Sequence, residues 1–242
     1  MSACSTPSRR SFTRADALPT LALIHSPLVG PSCWRQVAAR LAPDNAVAVD
    51  YGGVAGPDWY GGAGKRVVAS LSSATDVVIV AHSGAVGFVP SLAETLGERM
   101  VGMVLVDSGM PYPGRSWFDT ASAGLAAHVR ALARDGELPP WDSWFGPDVV
   151  ASLLPDPIAL GAFRAELPRL PLAYFEAIAP NLVGWEKVPA AYLQLSEAYA
   201  VDASAAERRG WTVRREPLHH LAMLSHPDTV ASAVADLAHA CV

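Results

Sequence analysis

The sequence predicts an α/β fold in which a mostly parallel sheet is flanked by helices. Short, continuous apolar runs alternate with helix-like stretches from Thr20 onward, and this alternation is typical of a parallel sheet covered on both faces. The composition agrees, because 51% of the 242 residues are hydrophobic and only 17% are charged, against about 25% charged in an average soluble domain. The chain therefore has enough apolar residues for a sizeable core, and disorder of most of the chain is excluded.

The elements are predicted from the spacing of apolar residues. Uninterrupted runs of β-branched or small apolar residues indicate buried strands, and helical spacing indicates helices. Strands are expected at 20–24, 46–49, 76–81, 101–106, 190–195 and 211–214, and helices at 32–41, 65–71, 84–96, 202–209 and 227–239. Residues 61–66 resemble a phosphate-binding loop, but Trp59 and Arg66 break its pattern, so we expect a flexible turn there.

The regular alternation stops between Met110 and Val188, where the chain becomes rich in proline and tryptophan. The apolar content of this segment is too high for a linker. We expect residues 111–188 to form a helical cap between two core segments, 19–110 and 189–242, and residues 1–18 to form a polar, disordered tail. The cap aromatics are expected mainly to pack a core, and the candidates to line a pocket are Trp117, Trp141, Trp144 and Tyr174.

Charge, hydropathy and cysteine usage exclude several classes of protein. The net charge of −5, without a long run of lysine or arginine, gives no electrostatic footprint for nucleic acid. No apolar run approaches the roughly 18 residues that span a bilayer, and three scattered cysteines predict no disulfide framework. The pair Arg9-Arg10 resembles the start of an export signal, but the polar residues after it do not continue one. We therefore expect a cytoplasmic protein.

The sharpest local signal is a serine in the turn between the strongest predicted strand and the helix after it. Ala81 and Ala85 flank Ser83 two positions on either side, and only small residues at those flanks avoid collision in so tight a turn. The turn is expected to strain the backbone of Ser83, to expose its hydroxyl and to place it at a helix N-terminus. Ser83 is therefore a candidate nucleophile.

Three segments resemble the α/β-hydrolase family. The serine turn resembles the family's Gly-x-Ser-x-Gly motif with alanine in place of both glycines. The segment from Ile24 to Trp34, with His25, resembles the family's His-Gly loop, and His220 occupies the place of its C-terminal histidine. The resemblance implies an α/β-hydrolase fold with a cap, Ser83 as nucleophile, His220 as general base and Gly84 as a backbone donor to the oxyanion.

Two departures from the family pattern bear on the chemistry. Pro27 stands where the family has a second oxyanion N–H, which proline lacks, and the hydroxyl of Ser26 is the nearest replacement. Loss of one such donor typically lowers the rate by about 10²–10³. Tyr199 stands at the usual position of the acid, which leaves Asp107 and Glu197 as equal candidates to orient His220.

Three functions follow from these residues. The first is a serine hydrolase that cleaves a hydrophobic ester, lactone or thioester through an acyl-enzyme on Ser83, with His220 as base. The second is a cofactor-free lyase, isomerase or cyclase that uses the same pocket for proton transfer. The third is a catalytically inactive protein that binds a small molecule. In each case the expected partner is a small hydrophobic molecule, with no cofactor, metal, nucleic acid or membrane, and the oligomeric state stays open.

Overall fold

The computed structural model describes residues 18–41, 45–146 and 148–242. Six parallel strands form one sheet in the order β2-β1-β3-β4-β5-β6. Their bounds are β1 Thr20–Ile24, β2 Ala46–Val49, β3 Val77–His82, β4 Met100–Val106, β5 Ala190–Gln194 and β6 Thr212–Arg215. The predicted α/β fold with a parallel sheet is confirmed, and each strand bound lies within one residue of its prediction. The predicted tail lies outside the described residues, except for the exposed Leu18.

The strand order creates a switch point beside β1. The chain pairs β1 with β2 on one side and then returns to pair β3 with β1 on the other side. Loops that leave the carboxyl ends of β1 and β3 therefore diverge in opposite directions, and in open α/β sheets such a crevice is where ligands bind. Ser26 lies just after β1, and Ser83 lies just after β3.

Helices cover both faces of the sheet. The helices are α1 Ser32–Arg40, α2 Trp59–Ser70, α3 Val89–Leu96, α4 Ala123–Leu132, α5 Val149–Leu153, α6 Pro157–Ala165, α7 Leu172–Glu176, α8 Ala200–Arg208, α9 Ala222–Ser225 and α10 Pro227–Ala240. Side chains of β3 alternate between the faces, because Ile79 belongs to the apolar cluster under α2 and α3 whereas Val80 belongs to the cluster under α1 and α10. Every residue of β3 is buried, which is typical of a central parallel strand.

Residues 107–189, between β4 and β5, form what we call the inserted segment. It contains α4 to α7, and its side chains enter both cores: Phe175 packs in the cluster under α2 and Phe163 in the cluster under α1. The predicted cap, residues 111–188, lies within this segment. Its action as a cap stays a prediction.

Two local predictions are wrong. The glycine-rich residues 61–64 lie inside α2 and not in a flexible turn. The buried face of this helix, with Tyr60, Ala63 and Val67, packs against α3 and stabilises the helix despite its glycines. The helix expected at 84–96 is instead a 3₁₀ turn over Ser83–Phe88 followed by α3. Pro90, in the first turn of α3, has no N–H to extend an α-helical ladder backward.

Among the described residues, none of the helices combines the length and apolarity needed to cross a bilayer. The two described cysteines, Cys33 and Cys241, are buried free thiols.

Candidate active site

The turn after β3 holds Ser83 in an unusual backbone conformation. Its φ angle is +54°, in the left-handed region that residues with a side chain rarely adopt. Ala81 and Ala85 on either side are completely buried, so larger side chains at these two positions would collide with the core. Ser83 itself is partly exposed. The predicted strain at this serine is confirmed, and the turn leaves the hydroxyl accessible.

His220 bridges Ser83 and Asp107. Its Nε2 lies 3.1 Å from Ser83 Oγ, and its Nδ1 lies 2.7 Å from Asp107 Oδ2. The three residues follow β3, β4 and β6, whose carboxyl ends lie at one edge of the sheet. The neighbouring His219 faces away, since its Nε2 lies 2.8 Å from Ser225 Oγ. The structure therefore places a hydroxyl, an imidazole and a carboxylate in one hydrogen-bonded series.

The carboxylate of Asp107 is fully buried and multiply bonded. Oδ1 accepts hydrogen bonds from Leu195 N and Ser196 N, both at 2.8 Å, and Oδ2 accepts one from Ser196 Oγ at 2.7 Å. Burial by itself raises the pKa of this carboxyl, but the bonds from His220, Ser196 and Leu195 outweigh it and hold the pKa below its usual value. Asp107 is therefore an anion at neutral pH.

The turn that presents Asp107 is braced from the next strand. Asp107 has a φ of +44°, and its N–H donates to Leu193 O at 2.8 Å. The Tyr192 hydroxyl donates to Ser108 O and accepts from Ser108 N at 3.1 Å. These bonds fix the carboxylate relative to β5, which carries Tyr192 and Leu193.

Of the two acids that the sequence left open, the structure brings Asp107 to His220. Glu197 is exposed on the 3₁₀ turn Glu197–Tyr199. The described ring hydrogen bonds of His220 go to Asp107 and Ser83. Glu197 is thus not placed to orient the imidazole.

The loop after β1 lies against the residue that follows Ser83. A Cβ built on Gly84 would lie 3.1 Å from Ser26 Oγ and 3.2 Å from Pro27 Cδ. Because Cδ occupies the direction in which an amide hydrogen would point, the ring of Pro27 fills the place of the expected second donor. Ser26 Oγ accepts a hydrogen bond from Leu28 N at 3.3 Å, which leaves the hydroxyl hydrogen free to turn toward Gly84.

His25 is a structural part of this loop. Its Nδ1 donates to Ser26 O at 2.8 Å, and its ring stacks on Tyr51 with the centroids 4.3 Å apart. Burial lowers the pKa of His25, so the imidazole is neutral at neutral pH. Its described contacts are with Ser26 and Tyr51, which support the loop.

Three aromatic rings surround the imidazole of His220. The ring centroids of His82, Tyr199 and Trp141 lie 4.6, 5.3 and 5.9 Å from that of His220. His82 Nε2 also donates to His220 O at 3.1 Å. Burial, together with the adjacent His220, lowers the pKa of His82 well below its usual value, so this ring stays neutral.

Only one of the four pocket candidates has a described ring contact with His220, and that is Trp141. Trp117 packs on Phe175 and Phe118, and Trp144 packs on Phe175. The Trp144 indole N–H donates to Pro139 O at 2.9 Å. Tyr174 packs against Trp59, Tyr60 and Phe175. The described contacts of Trp117 and Trp144 lie within the inserted segment, and those of Tyr174 join this segment to α2.

Sequence reasoning missed the contributions of Ser196, Tyr199 and His82. The N–H and the hydroxyl of Ser196 both bind Asp107. The signal that could have found it is positional, because Asp107 and Ser196 both follow the carboxyl ends of strands that prove to be neighbours, β4 and β5.

Comparisons with known proteins agree with this fold. A sequence model of the alpha/beta hydrolase family matches residues 21–233. No curated protein sequence matches the chain. An extracellular alpha/beta-hydrolase from a Paenibacillus species has a similar structure, with a TM-score of 0.72 at 16% identity over 91% of this chain and 99% of that chain. A pyrethroid hydrolase from Sphingobium faniae JZ-2 gives 0.68 at 17% identity over 92% and 98%. Tomato methylketone synthase I, complexed with 2-tridecanone, gives 0.68 at 17% identity over 93% and 100%. At such identities the similarity shows the fold alone.

Proposed function

Because this chain belongs to the alpha/beta hydrolase family, we propose that it is a serine hydrolase that forms an acyl-enzyme on Ser83. Its substrate is a hydrophobic ester, lactone or thioester. The observation that carries the proposal is the hydrogen-bonded series from Asp107 through His220 to Ser83. The fold by itself hosts many chemistries, so the proposal rests on this series.

In the acylation half-reaction, Ser83 Oγ forms a bond to the substrate carbonyl carbon while its proton passes to His220 Nε2. The π electron pair of the carbonyl moves onto its oxygen. The intermediate then collapses, the bond to the leaving group breaks, and the leaving group takes the proton from His220. The buried anion of Asp107 holds the Nδ1–H tautomer and stabilises the imidazolium that forms between these steps.

In the deacylation half-reaction, water takes the place of the leaving group. Its oxygen bonds to the acyl carbon as its proton passes to His220, and the bond from this carbon to Ser83 Oγ then breaks. Ser83 recovers a proton from His220, and a carboxylic acid leaves. Gly84 N–H and the Ser26 hydroxyl are the donors to the oxyanion in both halves.

The hydrophobic nature of the substrate is supported by the surroundings of His220. Trp141, from the inserted segment, has its ring centroid 5.9 Å from that of His220, and we propose that this segment acts as a cap over Ser83. Ligand pockets in proteins are mostly apolar with a few polar groups. One structural neighbour is named as a hydrolase of pyrethroids, which agrees with a hydrophobic ester as substrate.

Hydrolysis of p-nitrophenyl esters of increasing acyl length, and of a matched thioester, tests the proposal. The wild-type chain is expected to hydrolyse them, and Ser83→Ala and His220→Ala are expected to lose at least about 10³-fold in rate. Ser91→Ala is the control, since Ser91 is a buried serine on α3, and it is expected to keep the wild-type rate. Hydrolysis that survives in Ser83→Ala would overturn the proposal.

A second candidate function is favoured by Pro27. A carbon atom stands where a second oxyanion donor is expected, which weakens acyl transfer more than proton transfer. A cofactor-free lyase, isomerase or cyclase would use His220 as base without an acyl-enzyme. A wild-type chain that hydrolyses no ester or thioester of the series would favour this function.

A further inference from the structure

Tyr199 ends the turn that holds Asp107. The turn Glu197–Tyr199 follows β5, and Tyr199 N donates to Ser196 O at 3.3 Å. Ser196 in turn binds the Asp107 carboxylate through its N–H and its hydroxyl. The turn that binds the Asp107 carboxylate therefore also fixes the backbone position of Tyr199.

The phenol of Tyr199 lies alongside the imidazole of His220. The two rings are nearly parallel, at 17°, with their centroids 5.3 Å apart. The Ser83 side chain is the polar neighbour within reach of the Tyr199 hydroxyl. The imidazole extends from Asp107 at Nδ1 to Ser83 at Nε2. The phenol lies parallel to it, beside the bond between His220 and Ser83.

The proton positions follow from the acceptors. Asp107 is an anion and accepts from Nδ1, so the neutral ring of His220 presents an unprotonated Nε2 to Ser83. The Ser83 hydroxyl therefore donates to Nε2, and its lone pairs are left to accept. Burial raises the pKa of Tyr199 to about 12, so the phenol keeps its proton across the neutral range.

We propose that Tyr199 is a further catalytic residue of this site, whose hydroxyl donates a hydrogen bond to Ser83 Oγ. The bond stabilises negative charge on Oγ at two moments: when its proton passes to His220, and when Oγ leaves the acyl carbon. This role rests on the proposed function. It gives a chemical reason for a tyrosine at the position where the acid was expected, since the acid is supplied by Asp107 and the turn after β5 supplies a donor to the nucleophile.

The ring of Tyr199 has a second, separable effect. Its face lies beside the imidazole that becomes a cation during the reaction, and aromatic faces attract cations. Tyr199→Phe keeps the ring and removes the hydroxyl, whereas Tyr199→Leu removes both. The two variants therefore divide the contribution of the hydroxyl from that of the ring.

The test is the hydrolysis of p-nitrophenyl butyrate by the full chain between pH 7 and pH 10. Tyr199→Phe is expected to lower kcat/KM and kcat by about 10- to 100-fold, as for a lost hydrogen bond to a charged group. KM is expected to stay near the wild-type value. The loss should be constant over this pH range, because a hydroxyl with a pKa of about 12 remains protonated throughout. Tyr199→Leu should lose further activity.

The matched control is Tyr60→Phe, a tyrosine whose hydroxyl faces Ala177 O at 3.4 Å in the core, and it should keep the wild-type rate. Circular dichroism and thermal unfolding report whether each variant is folded. Wild-type rates in a folded Tyr199→Phe would overturn the role of the hydroxyl and leave the serine hydrolase intact. Loss of activity equal in Tyr199→Phe and Tyr60→Phe would also overturn it. An inactive wild-type chain would instead contradict the proposed function.

If Tyr199→Phe does not fold, incorporation of a fluorinated tyrosine that ionises below pH 9 replaces it, and the rate should then fall as this hydroxyl ionises.

Discussion

Ser83 and Asp107 both have positive φ angles, although neither is glycine. Each such conformation costs on the order of 1–3 kcal/mol and persists only where the surroundings determine it. For Asp107 the surroundings are the three bonds to its carboxylate from Leu195 and Ser196 and the backbone bond to Leu193. The two strained residues are thus the two ends of the series through His220.

Asp107→Asn tests the acid at the residue scale. The asparagine amide has one accepting oxygen and one NH₂ group where Asp107 has two accepting oxygens. Its NH₂ must therefore face either His220 Nδ1 or the donors of residues 195 and 196. When it faces His220, the wrong imidazole tautomer is favoured. We expect kcat for ester hydrolysis to fall by about 10⁴, measured in the steady state. Asp202→Asn is the control, because Asp202 is a partly buried acid on α8; it should stay within a few-fold of wild type. A mild effect of Asp107→Asn would contradict the assignment of the acid.

Pro27 offers the opposite kind of test, a gain of activity. Pro27→Ala replaces the Cδ that lies 3.2 Å from the Cβ position of Gly84 with an amide hydrogen. We expect kcat/KM for an activated ester to rise by at least about tenfold. The rise should not exceed about 10³-fold, which is the usual effect of one oxyanion donor on the rate. Pro31→Ala, in the same loop but at the start of α1, should not change the rate. An unchanged rate in Pro27→Ala would show that this position does not face the oxyanion.

At the scale of elements, Glu166 joins the inserted segment to the loop after β1. Its Oε2 accepts from Ser32 N at 3.0 Å, at the first turn of α1, and its Oε1 pairs with Arg35 at 3.4 Å. Gly30 makes room, since a Cβ there would collide with the Glu166 side chain. A carboxylate at a helix N-terminus satisfies free N–H groups and interacts favourably with the helix dipole. Glu166 therefore fixes the segment that carries Ser26 and Pro27.

Glu166→Ala should lower the free energy of unfolding by about 1 kcal/mol, as for other lost helix caps, measured by urea denaturation. Arg35→Ala removes only the exposed half of the ion pair and should cost less. Equal losses in the two variants would contradict a capping role for Glu166.

The strands were predictable because their signal is local. Runs such as Val77 to Ala81 are β-branched and apolar, and burial on both faces of a parallel sheet demands this composition. The glycines of α2 misled the prediction, because the helix is stabilised by the packing of its buried face on α3, which no local pattern shows.

In the candidate site, too, local motifs predict some residues, whereas others depend on the fold. Ser83 and His220 stand in motifs of fixed order, but the choice between Asp107 and Glu197 depended on which strand ends become neighbours. The contact of Tyr199 with His220 also required the fold, since the two residues lie 21 positions apart in the sequence.

At the scale of the whole molecule, two histidines are buried and neutral. Burial lowers the pKa values of His25 and His82 below the usual value of about 6.5. As the pH falls through that value, the unfolded chain binds protons that the folded chain does not, so acid favours unfolding. The free energy of unfolding is therefore highest when His25 and His82 are neutral in both states, and it decreases as the pH falls toward their lowered native pKa values.

We therefore expect the free energy of unfolding to decrease from pH 7 to pH 5, by at most about 1.4 kcal/mol per pH unit for each buried histidine. Urea denaturation across this range measures it. His25→Asn should reduce the slope, and His239→Asn, at an exposed position of α10, should not. A stability that is constant or rises toward pH 5 would contradict neutral burial of these rings.

The central claim is that Ser83 is a nucleophile activated by His220. Intact-mass spectrometry after incubation with a fluorophosphonate, followed by peptide mapping, measures this directly, because the reagent phosphonylates an activated serine irreversibly. The account predicts one adduct per chain, located on Ser83, absent from Ser83→Ala and formed at least about 10³-fold more slowly in His220→Ala. A wild-type chain that forms no adduct, or forms it on another residue, would contradict the account.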